Sequence, residues 1–586
     1  MTSLPPAILF IIGAILLLLM PRRWRSAAFL AFPVLTFILL VNLEPGTSLT
    51  VPFLDYELVL CQVDKLSLVF GYIFVIIAFL GGVYGFHLKD TLQQVAALLY
   101  AGGSVGVVFA GDLFTLFIFW EIMTVSSVCL IWARRTPKSA KAGMRYLIVH
   151  LFGGSVLLAG ILWHLGDTGS ILFNHLNGGI ASYLILFGFA LNAAVPPLHG
   201  WLADAYPEGT VTGAVFLSAF TTKAAVYVLI RGFAGLEVLI WAGAVMAVYG
   251  VVFAVLENDV RRLLAYHIIS QVGYMVAAVG IGTAMAINGA TAHAFAHILY
   301  KALLFMGVGV VLYTTGRTKL TELGGLARAM PLVLALYMVG AFSISGFPLF
   351  SGFVSKSMVI YSAELGHMGA IVLLLNLASV GTFLHTGLKL PYFTWFGPNR
   401  QLKPTSTPRS MYLGMALTAG LCIAIGVYPA LLYNLLPFAV DYHPYTAPHL
   451  IETMQLLIFT GLGFWLLINK LGGEATITLD TDWLYRRPSR LAYKLFVVFI
   501  SRLFAAVEGF TVYLIPFLIK LSANPIGYLV RPKKFVGYFF FGAKRPTPEP
   551  FNFDPSRYRI PLWPMVLLVL LSIVILMVWG LMALRA

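Results

Sequence analysis

Long apolar runs recur along the entire chain and alternate with short polar segments. A run of about 20 apolar residues is long enough to cross the hydrocarbon core of a bilayer as one α-helix. We therefore expect an all-α polytopic membrane protein. The pattern predicts sixteen spanning helices, which we number as spans 1 to 16, near residues 6–20, 27–41, 66–86, 92–110, 113–133, 142–164, 180–205, 209–230, 236–256, 263–283, 288–314, 331–363, 367–396, 410–431, 450–469 and 561–583.

Two of these spans are too long for a single crossing and are interrupted internally. Span 7 contains the pair Pro196-Pro197, and span 12 contains Gly346 and Pro348. Each interruption frees backbone groups that lipid cannot satisfy, so it has to line protein or water. Interrupted helices at corresponding places in two halves of a chain indicate an inverted-repeat transporter. A proline kink without a function is the alternative for either break taken alone.

The composition agrees with a membrane location and excludes several classes of protein. Of the 586 residues, 60% are apolar and only 10% are Asp, Glu, Lys or Arg, whereas soluble proteins carry about 25% charged residues. A soluble enzyme or a nucleic-acid-binding protein is therefore excluded. The three cysteines are far apart, and the chain has no Walker motif and no GxGxxG in a βαβ context. We expect no cofactor, no metal and no catalytic residue in this chain.

The basic residues predict how the chain is oriented. The chain carries 38 Lys+Arg against 23 Asp+Glu, a net charge of +15. Basic clusters follow spans 1, 5, 9, 11 and 13, and all of them fall on one side if both termini face outward. Cytoplasmic loops are enriched in Lys and Arg. We therefore expect a multi-pass protein of the prokaryotic cytoplasmic (inner) membrane with both termini outside.

Residues 472–560 follow a different pattern. Arg490, Lys494, Ser501 and Glu508 recur at spacings that place them on one helix face, with Phe and Leu residues opposite. Such an amphipathic helix lies along a membrane surface or a partner, and the final span anchors its far end. A tilted spanning helix near 495–519 is the alternative. The basic residues that predict a cytoplasmic position are Arg486, Arg487, Arg490, Arg531, Lys533, Lys534, Lys544 and Arg545.

Ionisable side chains inside the spans are the main functional candidates, because each is costly to place in a bilayer. His293, His297 and Lys301 follow at i, i+4 and i+8 and share one face of span 11. A lysine in a low-dielectric, partly wetted site can release and regain a proton at neutral pH. We therefore expect a proton or ion path. It consists of Glu121, Lys223, His293, His297, Lys301 and Lys356.

His150 in span 6 and His267 in span 10 are secondary candidates. A buried pair or a side chain that reaches the membrane surface explains either of them equally well, and His267 is close in sequence to Arg262. Two histidines four residues apart, such as His293 and His297, can also share a metal ion. This pair lacks a third ligand and the glutamate of an HExxH motif. A lysine one turn later would also repel a cation, so we expect no metal here.

Several of these segments together resemble one family. They are the FWE of span 5 and the segments PPLHGWLADAYPE, SAFTTKAAVY, NDVRRLLAYHIISQVGYM, HAFAHILYKALLF and GFPLFSGFVSK. The family is that of the antiporter-like membrane subunits of respiratory complex I, membrane-bound hydrogenases and Mrp-type cation/proton antiporters. The resemblance covers roughly residues 65–400 and is closest to the Mrp D subunit. The long tail with its final span resembles the largest antiporter-like subunit of complex I.

The resemblance implies fourteen helices that form two inverted five-helix repeats, each with an ionisable half-channel. By motif match, Glu121 corresponds to the glutamate that modulates a lysine, and Lys223 to the lysine that bridges the half-channels. Lys301 corresponds to the lysine of the second half-channel, and Lys356 to the terminal site on the broken helix. The family also implies other membrane subunits as partners.

One position departs from the family pattern. The family often has a lysine nine residues before the tryptophan of span 7, and Trp201 places Asn192 there. An amide cannot change its charge, so the first half-channel lacks its usual titrating group. Glu121 also lacks its expected partner, and His150 or Lys223 would have to replace it.

These observations predict six regions along the chain. Spans 1–3 occupy residues 1–90, the first repeat occupies 91–232, and the second repeat occupies 233–398. Spans 14 and 15 occupy residues 399–471, followed by the lateral segment in 472–560 and the anchor in 561–586.

The expected function is the movement of H+, Na+ or both, by a subunit of a multi-subunit Mrp-type cation/proton antiporter. Its expected partners are other membrane subunits and lipids, with no nucleic acid. The alternative is the proton-pumping module of a redox-driven complex I-like or hydrogenase-type complex. A standalone carrier of a small solute is a third interpretation, and it would need a polar pocket between the repeats. The subunits that co-purify with the chain would distinguish the first two.

Overall fold

The computed structural model describes residues 4–176, 178–472, 480, 481, 483, 488–523, 525 and 562–583. The chain consists of two compact units, residues 1–483 and residues 484–586. Apart from one hairpin, the regular structure described in both units is helical, as the apolar pattern predicts.

The helices of the first half follow the predicted spans closely. Up to the first interruption they are α1 (Pro6–Leu19), α2 (Arg22–Val41), α3 (Lys65–Tyr84), α4 (Thr91–Phe109), α5 (Leu113–Trp132), α6 (Pro137–Thr168) and α7 (Gly179–Asn192). Polar side chains cap several of their N-termini. Asp64 with Ser67 forms a capping box at α3, and Thr136 with Ser139 forms one at α6. Capping satisfies the free amides of the first turn and fixes where each helix begins.

The remaining helices of this unit include several short or irregular pieces. They are α8 (Gly200–Ala205), α9 (Val211–Ala219), α10 (Thr221–Phe233), α11 (Glu237–Leu256), α12 (Val260–Ile281), α13 (Ala284–Thr315), α14 (Pro331–Ser345), α15 (Ser351–Leu365), α16 (Gly369–Thr382), α17 (Arg409–Val427), α18 (Ala430–Tyr433) and α19 (Ala447–Leu467). Two 3₁₀ turns occur at Tyr206–Glu208 and Leu320–Glu322. Two π-helical segments, Phe383–Lys389 and Tyr392–Phe396, continue α16.

The loop between α2 and α3 forms a β-hairpin that the apolar pattern did not predict. β1 (Ser48–Phe53) pairs antiparallel with β2 (Tyr56–Gln62). The Asp112 carboxylate, at the start of α5, accepts from the amide of Val59 at 2.7 Å and ties the hairpin to the bundle. At the same end, Arg231 is paired with Asp64 at 2.5 Å. We call this end of the bundle the hairpin end.

The opposite end carries the arginines that predict the cytoplasmic side, and we call it the arginine-rich end. It holds Arg134, Arg135, Arg261, Arg262 and Arg317, in loops or at helix ends. Two of these arginines also bind backbone carbonyls of the loop before α9. Arg134 donates to the carbonyl of Pro207 and Arg261 to that of Gly209, both at 2.9 Å.

Within the described residues, three of the predicted spans are interrupted, and two of these interruptions were expected. Span 7 leaves the helix between Asn192 and Gly200, and span 12 does so between Ser345 and Ser351. Gly346 ends α14 with a φ of +77°, a conformation that glycine adopts without strain. The third interruption, at Phe220, separates α9 from α10 and was not predicted.

The number of helices suited to span a bilayer differs from the sixteen predicted. Fourteen helices in the described part of the chain are long and apolar enough to cross one. Helices α1, α7 and α14 fall short of that length, because α1 has only 14 residues and spans 7 and 12 are divided. The stretch Tyr493–Ala523 adds a candidate that was predicted to lie along the surface.

Helices α11 and α12 meet along a seam of glycines. A Cβ added to Gly243 would lie 2.5 Å from the carbonyl oxygen of Gly273, and one added to Gly250 would lie 2.6 Å from that of Tyr266. Gly273 and Gly280 of α12 face α11 in the same way. Small residues let membrane helices approach closely enough for van der Waals packing between backbones. The seam therefore fixes α12, the helix that carries His267.

The second unit contains α20 (Ser489–Ala492), a π-helical segment (Tyr493–Phe499), α21 (Ile500–Ala523) and α22 (Leu562–Ala583). Helix α22 coincides with the predicted anchor. The side chains of the eight basic residues used to predict a cytoplasmic tail lie outside the described residues. Residues 493–523 are long and apolar enough to span a bilayer, so the lateral helix stays a prediction beside the tilted-span alternative.

Candidate functional site

The six predicted ion-path residues lie on α5, α10, α13 and α15. Lys223 and the three residues of α13 are fully buried, and Lys356 is 3% exposed. Glu121 is partly exposed. Burial of four or more ionisable groups near the middle of spanning helices is costly and indicates a functional site.

Lys223 is held by the interruption between α9 and α10. Its Nζ donates to the carbonyl oxygen of Ser218 at 2.6 Å and to Oγ1 of Thr222 at 3.0 Å. The break in the helix thus supplies acceptors that a buried ammonium needs. Helix α10 packs against α13, the helix that carries His297 and Lys301.

The stripe on α13 connects to neighbouring helices at both ends. His293 Nδ1 lies 3.3 Å from Oγ of Ser355, the residue that precedes Lys356. At the other end, Lys301 Nζ lies 3.3 Å from Nδ1 of His267 on α12. Between them, neither ring nitrogen of His297 has a hydrogen-bond partner among the described residues. The expected alignment of the three side chains on one helix face is therefore present, and it reaches α12 and α15.

His267 is part of this cluster and is not paired with Arg262. Its Nε2 lies 3.1 Å from Oγ1 of Thr382, and its Nδ1 lies 3.1 Å from Oγ1 of Thr386 in addition to Lys301. Arg262 instead lies 3.4 Å from the carboxylate of Glu257. Proximity in sequence to Arg262 therefore does not explain the burial of His267.

Lys356 lies just beyond the break of span 12, beside a cavity. Its Nζ donates to Oγ of Ser379 at 2.7 Å and lies 5.0 Å from the ring centre of Tyr274. The adjoining cavity has a volume of about 500 Å³. Further along, its lining includes Glu364, Asp441, His443, His449 and Glu452. Three carboxylates around such a cleft raise the local concentration of cations, which suits an entry or exit for ions.

Glu121 is not paired with either substitute named for its missing partner. It packs against Gly154 of α6, and the described residues contain no ion pair between Glu121 and His150 or Lys223. The His150 ring is stacked on Tyr146 with a centroid distance of 3.9 Å and meets the edge of Trp201 at 4.4 Å. The aromatic contacts thus account for the position of His150.

Asn192 ends α7 directly before the break of span 7. It is 1% exposed, and its amide nitrogen has no hydrogen-bond partner among the described residues. Trp201 on α8 donates from Nε1 to the carbonyl oxygen of Leu191 at 2.9 Å, which bridges the break. Trp201 therefore contacts the end of α7, the helix that Asn192 terminates.

One buried contact between a histidine and a carboxylate was not predicted from the sequence. His199 Nε2 lies 3.0 Å from Oδ1 of Asp480, which also accepts from the Tyr249 hydroxyl, while its Oδ2 accepts from Tyr266. Burial by itself raises the pKa of Asp480, but His199 and the two hydroxyls outweigh it and hold that pKa below its ordinary value. No local pattern could indicate a contact across 281 positions.

His385 and Lys389 were also missed, although the rule that found Lys301 applies to them. Both are ionisable residues within predicted span 13, and both are buried in the π-helical segment Phe383–Lys389.

Among the described residues, no group of three or more His, Cys, Asp or Glu could hold a metal ion.

This arrangement defines a polytopic helical membrane protein whose interior holds a line of buried lysines and histidines beside interrupted helices. A family model described as NADH:quinone oxidoreductase/Mrp antiporter, TM matches residues 110–383. The chain belongs to this family.

Two relatives and two solved structures show the extent of the similarity. An uncharacterized protein of Methanocaldococcus jannaschii is 31% identical over 60% of this chain and 78% of its own length. The D subunit of the Na(+)/H(+) antiporter of Alkalihalophilus pseudofirmus is 31% identical over 51% of this chain and 64% of its own. The antiporter D subunit, whose name states an activity, is thus matched over less than two thirds of its length.

The fold is similar to chains of two membrane complexes. A chain of the Mrp complex from Dietzia sp. DQ12-45-1b matches with a TM-score of 0.71 and 24% identity, over 97% of this chain and 66% of that one. A chain of an archaeal membrane-bound sulfane sulfur reductase, a respiratory membrane complex, matches with a TM-score of 0.65 and 25% identity, over 77% of this chain and 97% of that one.

Proposed function

We propose that this chain is an ion-translocating membrane subunit of a multi-subunit Mrp-type cation/proton antiporter. It moves H+, Na+ or both through a chain of Lys, Glu and His residues in the spans and the water between them. Other membrane subunits and lipids are its partners. No redox or other catalytic chemistry is assigned to this chain.

The observation that carries this proposal is the continuity of ionisable groups through the bundle. Helix α10, which carries Lys223, packs against α13, which carries His297 and Lys301, and His293 contacts Ser355 beside Lys356. Lys356 in turn lines the cavity with its acidic residues. Groups that can exchange protons, placed in sequence between buried helices, are what ion transfer across a membrane requires.

The charges at the two ends of the bundle support one orientation of the chain. The arginine-rich end faces the cytoplasm, because cytoplasmic loops are enriched in Arg and Lys. Both termini then lie outside the prokaryotic cytoplasmic membrane, and the acidic cavity opens outward. Residues 91–232 and 233–398 form the two inverted repeats, preceded by three spans and followed by spans 14 and 15, a lateral segment and an anchor.

The second candidate function is a proton-pumping module of a redox-driven complex. The similarity to a nearly complete chain of a respiratory sulfane sulfur reductase favours it. The two candidates share the ion path and differ in the source of energy, which in the second is electron transfer in partner subunits.

Reconstitution of the purified complex into liposomes distinguishes these functions. We expect an imposed Na+ gradient to drive H+ movement, followed with a pH-sensitive dye, and no iron–sulfur subunits among the co-purifying proteins. Transport that instead requires an electron donor, together with co-purifying redox subunits, would establish the second candidate. A complex that moves neither ion under either condition would contradict both.

Asn192 provides a test of the first half-channel. Because its amide cannot titrate, we expect Asn192→Ala to retain most of the transport rate, and Asn192→Lys to be tolerated if Glu121 offsets the new charge. Transport rates in liposomes, normalised to the amount of assembled complex, measure the effect. A loss in Asn192→Ala as large as that in Lys301→Ala would mean that the amide itself orders an essential water.

A further inference from the structure

The π-helical segment Phe383–Lys389 brings two ionisable side chains into the interior of the second repeat. His385 is fully buried and Lys389 is 2% exposed. They are four residues apart and therefore project from the same side of the helix. Single π-helical turns occur frequently at functional sites, and none of the six ion-path residues lies on this helix.

His385, in the N-terminal half of this segment, contacts the site already described. The His385 ring lies 4.6 Å from the His267 ring, centre to centre and edge-on. His267 in turn lies 3.3 Å from Lys301 Nζ. Neither ring nitrogen of His385 forms a well-aligned hydrogen bond among the described residues, and a weaker contact joins the ring to the backbone of Gly381. The neutral ring therefore keeps one nitrogen that can accept a proton.

Lys389, the last residue of the segment, reaches the arginine-rich end. Lys389 Nζ donates to the carbonyl oxygen of Val255 at 2.5 Å and lies 3.4 Å from that of Glu257. Glu257 follows the last residue of α11, and its carboxylate lies 3.4 Å from Arg262, whose side chain is 26% exposed. Burial raises the pKa of Glu257, against the opposing effect of the Arg262 charge. A carboxyl group whose pKa is raised above its ordinary value thus lies between Lys389 and the surface.

We propose that this segment forms a second proton entry, which leads from the arginine-rich end to Lys301 with His385 and Lys389 as the carriers. The inference rests on the proposed function and adds a branch to it. In the first repeat, Asn192 occupies the position of a titrating lysine and cannot change charge. A branch through α12 and the π-helical segment reaches Lys301 without passing that position.

Each step moves one proton and leaves the carriers as they were. The Lys389 ammonium gives a proton to His385, directly or through a bridging water. Lys389 is then reprotonated from water at the surface, either directly or through the Glu257 carboxyl, which takes up one proton from that water for each proton it gives. His385 passes a proton to His267, and His267 passes one to the neutral amine of Lys301. The sum is one proton taken from the arginine-rich side and held on Lys301.

The competing explanation is structural, because Lys389 also anchors span 13 to the end of α11. Lys389→Arg separates the two roles. Arginine keeps the positive charge and the donors for the two carbonyls but does not release a proton at accessible pH. His385→Leu removes the other carrier without changing the anchor.

The test uses the complete complex in inside-out membrane vesicles, with proton translocation followed by a pH-sensitive dye. Because the first half-channel lacks a titrating group at Asn192, this branch should carry most of the protons that reach Lys301. We therefore expect Lys389→Arg and His385→Leu each to slow translocation by roughly 100-fold, the lower end of what a positioned proton carrier contributes. The matched control is Lys403→Arg, at an exposed lysine of a loop at the same end, which should have no effect. Immunoblots of the vesicles confirm equal amounts of assembled complex.

The outcomes separate this inference from the proposed function. Wild-type rates in Lys389→Arg and His385→Leu, beside an inactive Lys301→Ala, would overturn the second entry and leave the ion path intact. Normal transport by Lys389→Arg with loss in Lys389→Met would identify an anchor and would also overturn it. Normal transport by Lys301→Ala would contradict the proposed function itself. If Lys389→Arg fails to assemble, the His385→Leu rate decides.

Discussion

Lys301→Ala and Lys356→Ala should each abolish ion translocation while the complex still assembles. Lys301 lies 3.3 Å from His267 and so joins the α13 stripe to α12, and Lys356 lies where the buried residues meet the acidic cavity. Alanine cannot carry a proton, so the path is cut at a point where no described neighbour replaces the missing ammonium. Removal of a buried charge also removes its desolvation cost, so we expect the folded chain to persist.

Translocation by purified complexes in liposomes measures this effect, with the amount of complex taken from size-exclusion chromatography. Lys403→Ala is the control, because it removes a lysine at an exposed position of a loop. Both site variants should fall to the background rate and the control should match the wild type. Wild-type pumping by an assembled Lys301→Ala complex would remove Lys301 from the path.

Gly243→Ala should destabilise the protein, although alanine usually favours a helix over glycine. The new Cβ would lie 2.5 Å from the Gly273 carbonyl oxygen across the α11–α12 seam. That neighbour is backbone, so the two helices must separate, and overpacking of this kind costs about 1–3 kcal/mol. The displacement would also move α12 and with it His267, so transport should decrease together with stability.

Gly420→Ala is the matched control for the seam. Gly420 is also inside a helix, but a Cβ there would meet nothing within 4 Å, so the helix-forming preference of alanine should add about 0.5–1 kcal/mol of stability. The two variants should therefore shift the thermal unfolding temperature of the detergent-solubilised complex in opposite directions. Equal shifts for both variants would show that the close approach of α11 and α12 does not matter for stability.

The positions of most helices could be predicted from the sequence because a bilayer imposes a fixed length of apolar chain. Proline and glycine likewise indicated the breaks of spans 7 and 12, since both residues interrupt the helical hydrogen-bond pattern. The break at Phe220 had no such signal. The β-hairpin was missed because its strands are short and lie in a segment assigned to a loop.

For the candidate site, the ion-path residues could be predicted from the sequence, but the residues that they contact could not. An ionisable residue in an apolar run is visible in one dimension, and this identified Lys223, Lys301 and Lys356. The partners come from tertiary packing, so the contact of Lys301 with His267 and the helix break that holds Lys223 could not be foreseen. Glu121 shows the same limit, because neither of the partners named for it forms an ion pair with it.

The contact between Asp480 and His199 determines where the chain can be cut without damage to the bundle. Among the described residues, the last helix of the first unit ends at Leu467, and a truncation placed there follows the hydropathy profile. Such a cut would remove the carboxylate that His199, Tyr249 and Tyr266 bind in the interior. Loss of a buried acceptor costs about 1–3 kcal/mol for each donor that depended on it. A minimal version of the first unit for biophysical work should therefore extend through Trp483. A second version that ends at Leu467 lacks the thirteen residues from 468 to Asp480. The difference in thermal stability between the two versions would show how strongly these residues support the interrupted helix of span 7.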